Sequence, residues 1–222
     1  GDRAHAVRAA ERRAGPVAVQ LLSSISDSAA RDRIAKTMVM AVRRIQPLAP
    51  SLRLQAVHHD VTDDNVVSRP DAHGRPVPDG VIDFGDIIRG WLVGDLAVTC
   101  ASLLHQADGD PFHILPAVKA YHEIYPLIEE ELKALWPLIV ARAVILVASS
   151  EQQISIDPDN DYVRGNLEGE RRIFDTAMSV PFELMEAAIL KTAGLHIADV
   201  DTADWQPLLP EIDPASIAYV DL

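Results

Sequence analysis

The amino-acid sequence predicts a mainly α domain carrying one small β element between its helices. Apolar residues recur at spacings of three and four through residues 28–46 and again beyond Trp91, the period of a helix with one buried face. Between Pro50 and Trp91 that period stops, and short apolar pieces alternate with polar or turn-rich stretches. The composition of the 222 residues, 48% hydrophobic and 24% charged, is an ordinary globular mixture able to form a core.

Taken in order, residues 2–14 and about 28–46 read as helices. In the second, Ile34, Met38, Val42 and Ile45 form the stripe, and Pro47 and Pro50 end it. The pieces at 54–57, 66–68 and 81–82 are candidate short strands, and the segment 69–80, with three prolines and two glycines, reads as an exposed turn. Leu92, Leu96, Thr99 and Leu103 then mark one side of a helix. Asp110 before Pro111 is a helix cap followed by proline at the first helical position. The stripe Leu115, Val118, His122, Tyr125, Ile128, Leu132 and Leu135 is helical, but Pro126 must kink or restart it. Glu129, Glu130 and Glu131 suit the first turn of the restarted helix, where the dipole favours carboxylates. A further helix is expected over about 138–153, a loop at 156–161, and helices at about 163–179 and 181–193, divided by Pro181 and closed by Gly194. The acidic, proline-punctuated residues after 194 look like a linker or tail. The expected division is an N-terminal helical segment at 1–27, a lobe at 28–194 with its chemistry at 54–99, and the tail at 195–222.

Several function classes are disfavoured. The longest apolar run, 135–148, contains Pro137 and Arg142 and falls short of the roughly 20 residues of a bilayer span. The basic, Ala-rich N-terminus leads into no apolar core before a small-residue cleavage site, unlike a secretory signal. Cys100, the single cysteine, cannot form an internal disulfide, which fits a cytoplasmic location. A formal charge of -13 repels a nucleic-acid backbone. Such acidity is either a solvated surface or a preference for cationic ligands, with a divalent metal needed for anything phosphorylated.

The β element holds the chemistry. It reads AVHHDVTDDNVV at 56–67 and GVIDFGD at 80–86, each an apolar piece feeding a polar loop. Asp60 and Asn65 are five apart and His58 is two before the aspartate, a spacing that suits a carboxylate facing an acceptor hydroxyl beside an amide that coordinates metal. Asp83 follows the apolar pair Val81 and Ile82, and a carboxylate beside Asn65 would complete a Mg²⁺ site, since that ion takes a few protein oxygens plus phosphate oxygens.

The ordered string His58-x-Asp60-x-x-x-x-Asn65, then Asp83-Phe84-Gly85, resembles the aminoglycoside phosphotransferase and choline kinase family, small-molecule relatives of the protein kinases. The resemblance spans roughly 28–195, with strong motifs only in 54–99. It implies that the chain is the C-terminal lobe of a kinase-like fold that uses Mg²⁺ with ATP and transfers the γ-phosphoryl group to a hydroxyl of a small molecule. By the same resemblance Asp60 accepts the hydroxyl proton, Asn65 and Asp83 ligate the metal, Asp95 braces the catalytic loop through its backbone amides, and His58 orients that loop. The family usually has glycine where His59 stands, so His59 either alters the backbone or reaches toward the phosphates. His59 and Asp86 are therefore candidates for substrate contact, although Asp86 could equally cap the following turn. The IDFGD form, with AYHEIYPLIEEELKALWPLIVAR and DYVRGNLEGERRIF downstream, is most like the hydroxylysine kinase branch. That branch implies a hydroxylated amine or amino acid as acceptor, with Asp86, Glu168 and Glu170 available for an ammonium group.

A complete kinase of this type has an N-terminal lobe whose Gly-rich loop covers the phosphates and whose strand lysine pairs with them. Before His58 the only glycines are Gly1 and Gly15 and the only lysine is Lys36, in a helical pattern. The chain is thus expected to be inactive alone and to be partnered by that lobe, and by further domains, of one polypeptide. Asp63 and Asp64 either add metal charge or are solvated loop acids. His73 reads as exposed; His105, His113 and His122 as ordinary helix residues; Trp91, Trp136 and Trp205 as core or interface. Two other readings compete: a non-catalytic kinase-like interaction module, and a metal-dependent phosphohydrolase using His59 and Asp60 on a helix with His5 or His73 and Asp83. No G-x-S-x-G elbow supports serine hydrolysis.

Overall fold

Asp27 accepts a hydrogen bond from the Ala29 amide and so opens helix α1, Ser28–Leu48. The computed structural model describes residues 21–195; the expected helix at 2–14, His5, Trp205 and the tail after 195 lie outside them. α1 buries Ile34, Thr37, Ala41 and Ile45, while Val42 from the expected stripe faces outward. The small side chains of Thr37 and Ala41 form the contact face, so the buried stripe is rotated from the one drawn through the large residues. Pro47 does not end the helix. It lies in the last turn, which the Ala49 amide closes on the Ile45 carbonyl.

Four short strands follow, in two separate antiparallel pairs. β1, Leu54–Val57, pairs with β4, Ile88–Trp91, placing Leu54 opposite Trp91 and Val57 opposite Ile88. β2, Val66–Pro70, pairs with β3, Pro76–Val81, as a hairpin. The expected turn over 69–80 is therefore mostly strand, and only residues 71–75 turn. There Asp71 accepts the amides of His73 and Arg75, and Gly74 takes φ +79°. Prolines are tolerated because both strands of a two-stranded ribbon are edges, where a missing N–H leaves no ladder bond broken. β4 was not expected. Its Gly90 lies so close to β1 that a Cβ there would sit 2.9 Å from Val57 Cγ2.

The rest is helical: α2, Leu92–Leu103; a 3₁₀ turn, Pro111–Ile114, capped by Asp110; α3, Leu115–Ile124; α4, Glu129–Ile156; α5, Asp161–Ala177; and α6, Phe182–Thr192. α3 stops before Pro126, leaving Tyr125 and Ile128 exposed rather than in the stripe, and His122 Nδ1 accepts the Leu127 amide across the break. α6 ends in a Schellman motif: Gly194 takes φ +76°, its amide donates to Lys191, and the Leu195 amide donates to Leu190.

α4 is the axis of the domain, packed by α1, α2, α5 and α6. Two helices were expected across this stretch, but the chain runs unbroken for 28 residues through Pro137. The cost of that proline, about 3 kcal/mol in a helix interior, is offset by neighbours on nearly every side. Leu132, Leu135, Ile139 and Val140 are fully buried, each contributing about 1.5–3 kcal/mol. α4 is also long and apolar enough to cross a bilayer, which the broken apolar run did not suggest; 61% of its apolar window is buried inside the fold, as in a core helix.

A buried ion pair ties the β element to this axis. Glu131, fully buried in the first turn of α4, accepts from Arg53 Nε at 2.9 Å, Arg53 Nη2 at 2.6 Å and the Ile128 amide at 3.1 Å. Arg53 precedes β1, and its carbonyl accepts the Leu92 amide at the start of α2. One residue thus fixes β1, α2 and α4 relative to one another.

Candidate active site

The chain leaves β1 at Val57 and enters a loop held from below by α2. Asp95 Oδ2 accepts the His58 amide at 3.1 Å and Asp95 Oδ1 accepts the His59 amide at 2.6 Å. One turn further along α2, the Thr99 hydroxyl donates to the Val61 carbonyl at 2.8 Å. His59 takes φ +68°, a left-handed conformation that costs a side-chain-bearing residue about 1–2 kcal/mol. The Asp95 carboxylate, by accepting the His58 and His59 amides, holds the loop in that conformation. The His59 side chain faces solvent.

The His58 ring is buried, edge-on to Phe84 with centroids 5.0 Å apart, and its Nε2 donates to the Ile82 carbonyl at 2.9 Å. The Ile82 amide in turn donates to the Asn65 carbonyl at 3.0 Å. Two hydrogen bonds on Ile82 thus fasten Asp83, the next residue, to the loop bearing Asp60 and Asn65. Asp83 is exposed at φ +59°, with Oδ1 accepting the Gly85 amide at 3.4 Å.

Asp60 is the best-connected side chain of the group. Asn65 Nδ2 donates to its carbonyl at 2.9 Å and to its Oδ2 at 3.0 Å, while Arg142 Nη2 on α4 donates to Oδ1 at 3.1 Å. Both Nδ2 bonds of Asn65 go to Asp60, which leaves its side-chain oxygen without a hydrogen bond among the described residues. That oxygen and the Asp83 carboxylate are hard donors of the kind Mg²⁺ takes. Among the described residues no three His, Cys, Asp or Glu side chains gather into a metal cage, so a cation at these oxygens would complete its shell with water or phosphate.

The remaining candidates fall away from this centre. Asp63 Oδ1 accepts from Ser102 Oγ at 2.8 Å, making it a tether to α2, and Asp64 is exposed. Asp86 is exposed at the end of the 3₁₀ turn Phe84–Asp86. Glu168 pairs with Arg172 on the surface. His59 and Asp60 lie in a loop rather than on a helix, and His73 is at the hairpin tip, so the phosphohydrolase arrangement is not formed. Burial pushes the Cys100 thiol up to about 12, which makes it an inert core residue. A cavity of about 240 Å³ between α1, α4 and α5 is lined by Arg33, Glu151, Arg171 and Asp175. It lies outside the Asp60 centre, and its charges are already paired with one another.

Sequence reasoning missed Arg142, counting it only as an interruption of an apolar run. A lone charge within the apolar run 135–148 was the available signal, because such a charge needs a partner in the fold.

The phosphotransferase enzyme family model, APH, matches residues 2–131, more than half of the chain, starting earlier and ending sooner than the span of 28–195 drawn from the motifs. Hydroxylysine kinase of Danio rerio is 24% identical over 119 residues, 53% of this chain and 33% of that protein. Hydroxylysine kinase of Xenopus laevis is 23% identical over 148 residues, 64% of this chain and 39% of that protein. The chain thus spans 33% to 39% of the length of these relatives. No solved structure matches. With the family match covering Asp60, Asn65, Asp83 and Asp95 alike, the chain belongs to the phosphotransferase enzyme family and is hydroxylysine kinase-like.

Proposed function

We propose that this chain is the C-terminal, phosphoryl-transferring lobe of an ATP-dependent kinase for a small hydroxylated amine or amino acid. The observation that carries this reading is the linkage of Asp60, Asn65 and Asp83 through Ile82 and the Asn65 amide. Asp60 takes the proton of the acceptor hydroxyl as its oxygen attacks the γ-phosphorus; the new O–P bond forms, the bond to the bridging oxygen breaks, and the nucleoside diphosphate leaves. Asn65 and Asp83 would hold Mg²⁺, which would supply positive charge to the phosphates during transfer. Asp95 and His58 keep the loop in place without touching the reacting atoms.

The reading of the chain as one lobe has support of its own. Val67, Val81, Ile82, Phe84, Ile87 and Ile88 are exposed around the candidate site, with Phe84 59% accessible. An apolar surface of that kind marks an interaction face, and a nucleotide-covering lobe is the occupant this chemistry requires.

The test is turnover of the full-length protein with Mg·ATP and a panel of amino alcohols, hydroxylated amino acids, aminoglycosides and neutral sugars. Asp60→Asn should lower turnover by about 10²–10⁴, the worth of a positioned general base, and Asp83→Ala should raise the Mg²⁺ requirement as well. Near wild-type turnover in both variants at saturating Mg²⁺ and nucleotide would remove both residues from the mechanism.

A further inference from the structure

Arg142 offers more than the one contact it makes. Its side chain is 26% exposed, and its bond to Asp60 Oδ1 engages a single N–H of the five that a guanidinium carries. Among the described residues it makes no other hydrogen bond. A largely buried guanidinium with spare donors beside the reacting centre suits bidentate capture of a carboxylate or phosphate.

The two oxygens of Asp60 indicate which of these it meets. Oδ2 faces Asn65, on the side that leads through Ile82 to Asp83, where the proposed metal and nucleotide would sit. Oδ1 faces Arg142 and α4. In-line transfer brings the attacking oxygen in opposite the leaving nucleotide, so the acceptor belongs on the Oδ1 side, where Arg142 stands.

Glu170 on α5 feels the charge of Arg142, but its carboxylate is closed into the fold rather than open to a ligand. Burial pushes its carboxyl above the ordinary range, against the Ser150 hydroxyl and the charge of Arg142, which lower it. Its Oε2 is buried without a hydrogen-bond partner among the described residues. An acceptor without an anionic group would leave the spare guanidinium donors unused, whereas a carboxylate engages them.

We propose that Arg142 is a specificity-determining residue that pairs with the carboxylate of a hydroxylated amino acid acceptor. The proposal rests on the phosphoryl-transfer reading and refines it, since a hydroxylated amine without a carboxylate would lack the contact with Arg142.

The experiment measures kcat/KM of the full-length protein for hydroxylysine, its methyl ester and its decarboxylated amine, with Mg·ATP. Wild type should prefer the free acid over the ester and the amine by about 10- to 100-fold, the scale of a hydrogen bond to a charged group. Arg142→Gln should bring that preference close to one. All three acceptors use the same base, so any loss from freeing Asp60 cancels in the ratio. Arg142→Lys, which keeps the charge without the fork, should retain an intermediate preference, and it serves together with the wild-type ratio if Arg142→Gln does not fold. Equal use of acid and ester by wild type, or a preference that Arg142→Gln leaves intact, would overturn the proposal and leave Arg142 only a positioning residue for Asp60. If wild type phosphorylates some other alcohol but not these, the acceptor assignment falls and the kinase reading stands; if it phosphorylates no alcohol at all, both fall.

Discussion

Replacing Asp95 by alanine should destabilise this chain and disable the loop that carries Asp60. The carboxylate accepts two backbone amides, from His58 at 3.1 Å and His59 at 2.6 Å. A hydrogen bond to a charged acceptor is worth about 1.5–3 kcal/mol. The His58 amide counts nearly in full, because the residue is buried, whereas the exposed His59 amide can turn to water. The expected loss is about 2–4 kcal/mol, or a fall in Tm of roughly 5–15 °C for a domain of this size. Chemical denaturation is the assay, with the midpoint shifting and the slope unchanged. Without its acceptor the loop will leave the left-handed conformation at His59, carrying Asp60 with it, so turnover of the full-length protein should fall as well. Adding His59→Gly in that background should restore part of the turnover, because glycine occupies φ +68° without opposition. A stability loss below about 0.5 kcal/mol would refute the energetic argument. A clear loss of stability with unchanged turnover would mean that Asp95 braces the fold but not the catalytic loop.

Other expectations follow from the same structure. Burial works to raise the Glu131 carboxyl, but hydrogen bonds from the Arg53 side chain and the Ile128 and Arg53 amides, with the charge of Arg53, hold it below the ordinary range. Because the folded value is depressed, this stabilisation is present above the unfolded carboxylate value near about 4.3 and is lost as pH falls through the lower folded value. Denaturation midpoints between about pH 6 and pH 3 should show that acid slope, and Glu131→Gln should remove its share. The same variant should cost about 2–3 kcal/mol at neutral pH, less than a wholly buried pair because Arg53 reaches water; a neutral effect would contradict the strut. Gly194→Ala should cost about 1–2 kcal/mol, since φ +76° is left-handed, and an unchanged melting temperature would mean that the Schellman turn re-forms differently. Calorimetric titration of this 222-residue chain with Mg·ATP should give a Kd above about 0.1 mM. Micromolar or tighter binding would show phosphate contacts within the chain itself.

What the sequence determined by itself is local. The cap at Asp110, the turn at Gly194, the strand at 54–57 and the order of Asp60, Asn65 and Asp83 could all be read because each depends on neighbours within a few residues. Proline was the main source of local error: Pro47 was taken as a helix end, Pro137 as an interruption ahead of a separate helix and the prolines at 70, 76 and 78 as a turn, yet all lie within helices or strands. Their local cost is real, but burial of α4 and the open edges of the hairpin compensate, and neither is visible in a window of residues. Tertiary structure alone decided the partners of the charges. Arg142 meets Asp60 across 82 residues and Arg53 meets Glu131 across 78. A charge in a folding chain must find an opposite charge or water, and which one it finds is set by helix packing rather than by spacing. The acid that heads the motif was legible from its neighbours, while the guanidinium beside it became visible only once α4 had been laid against the loop.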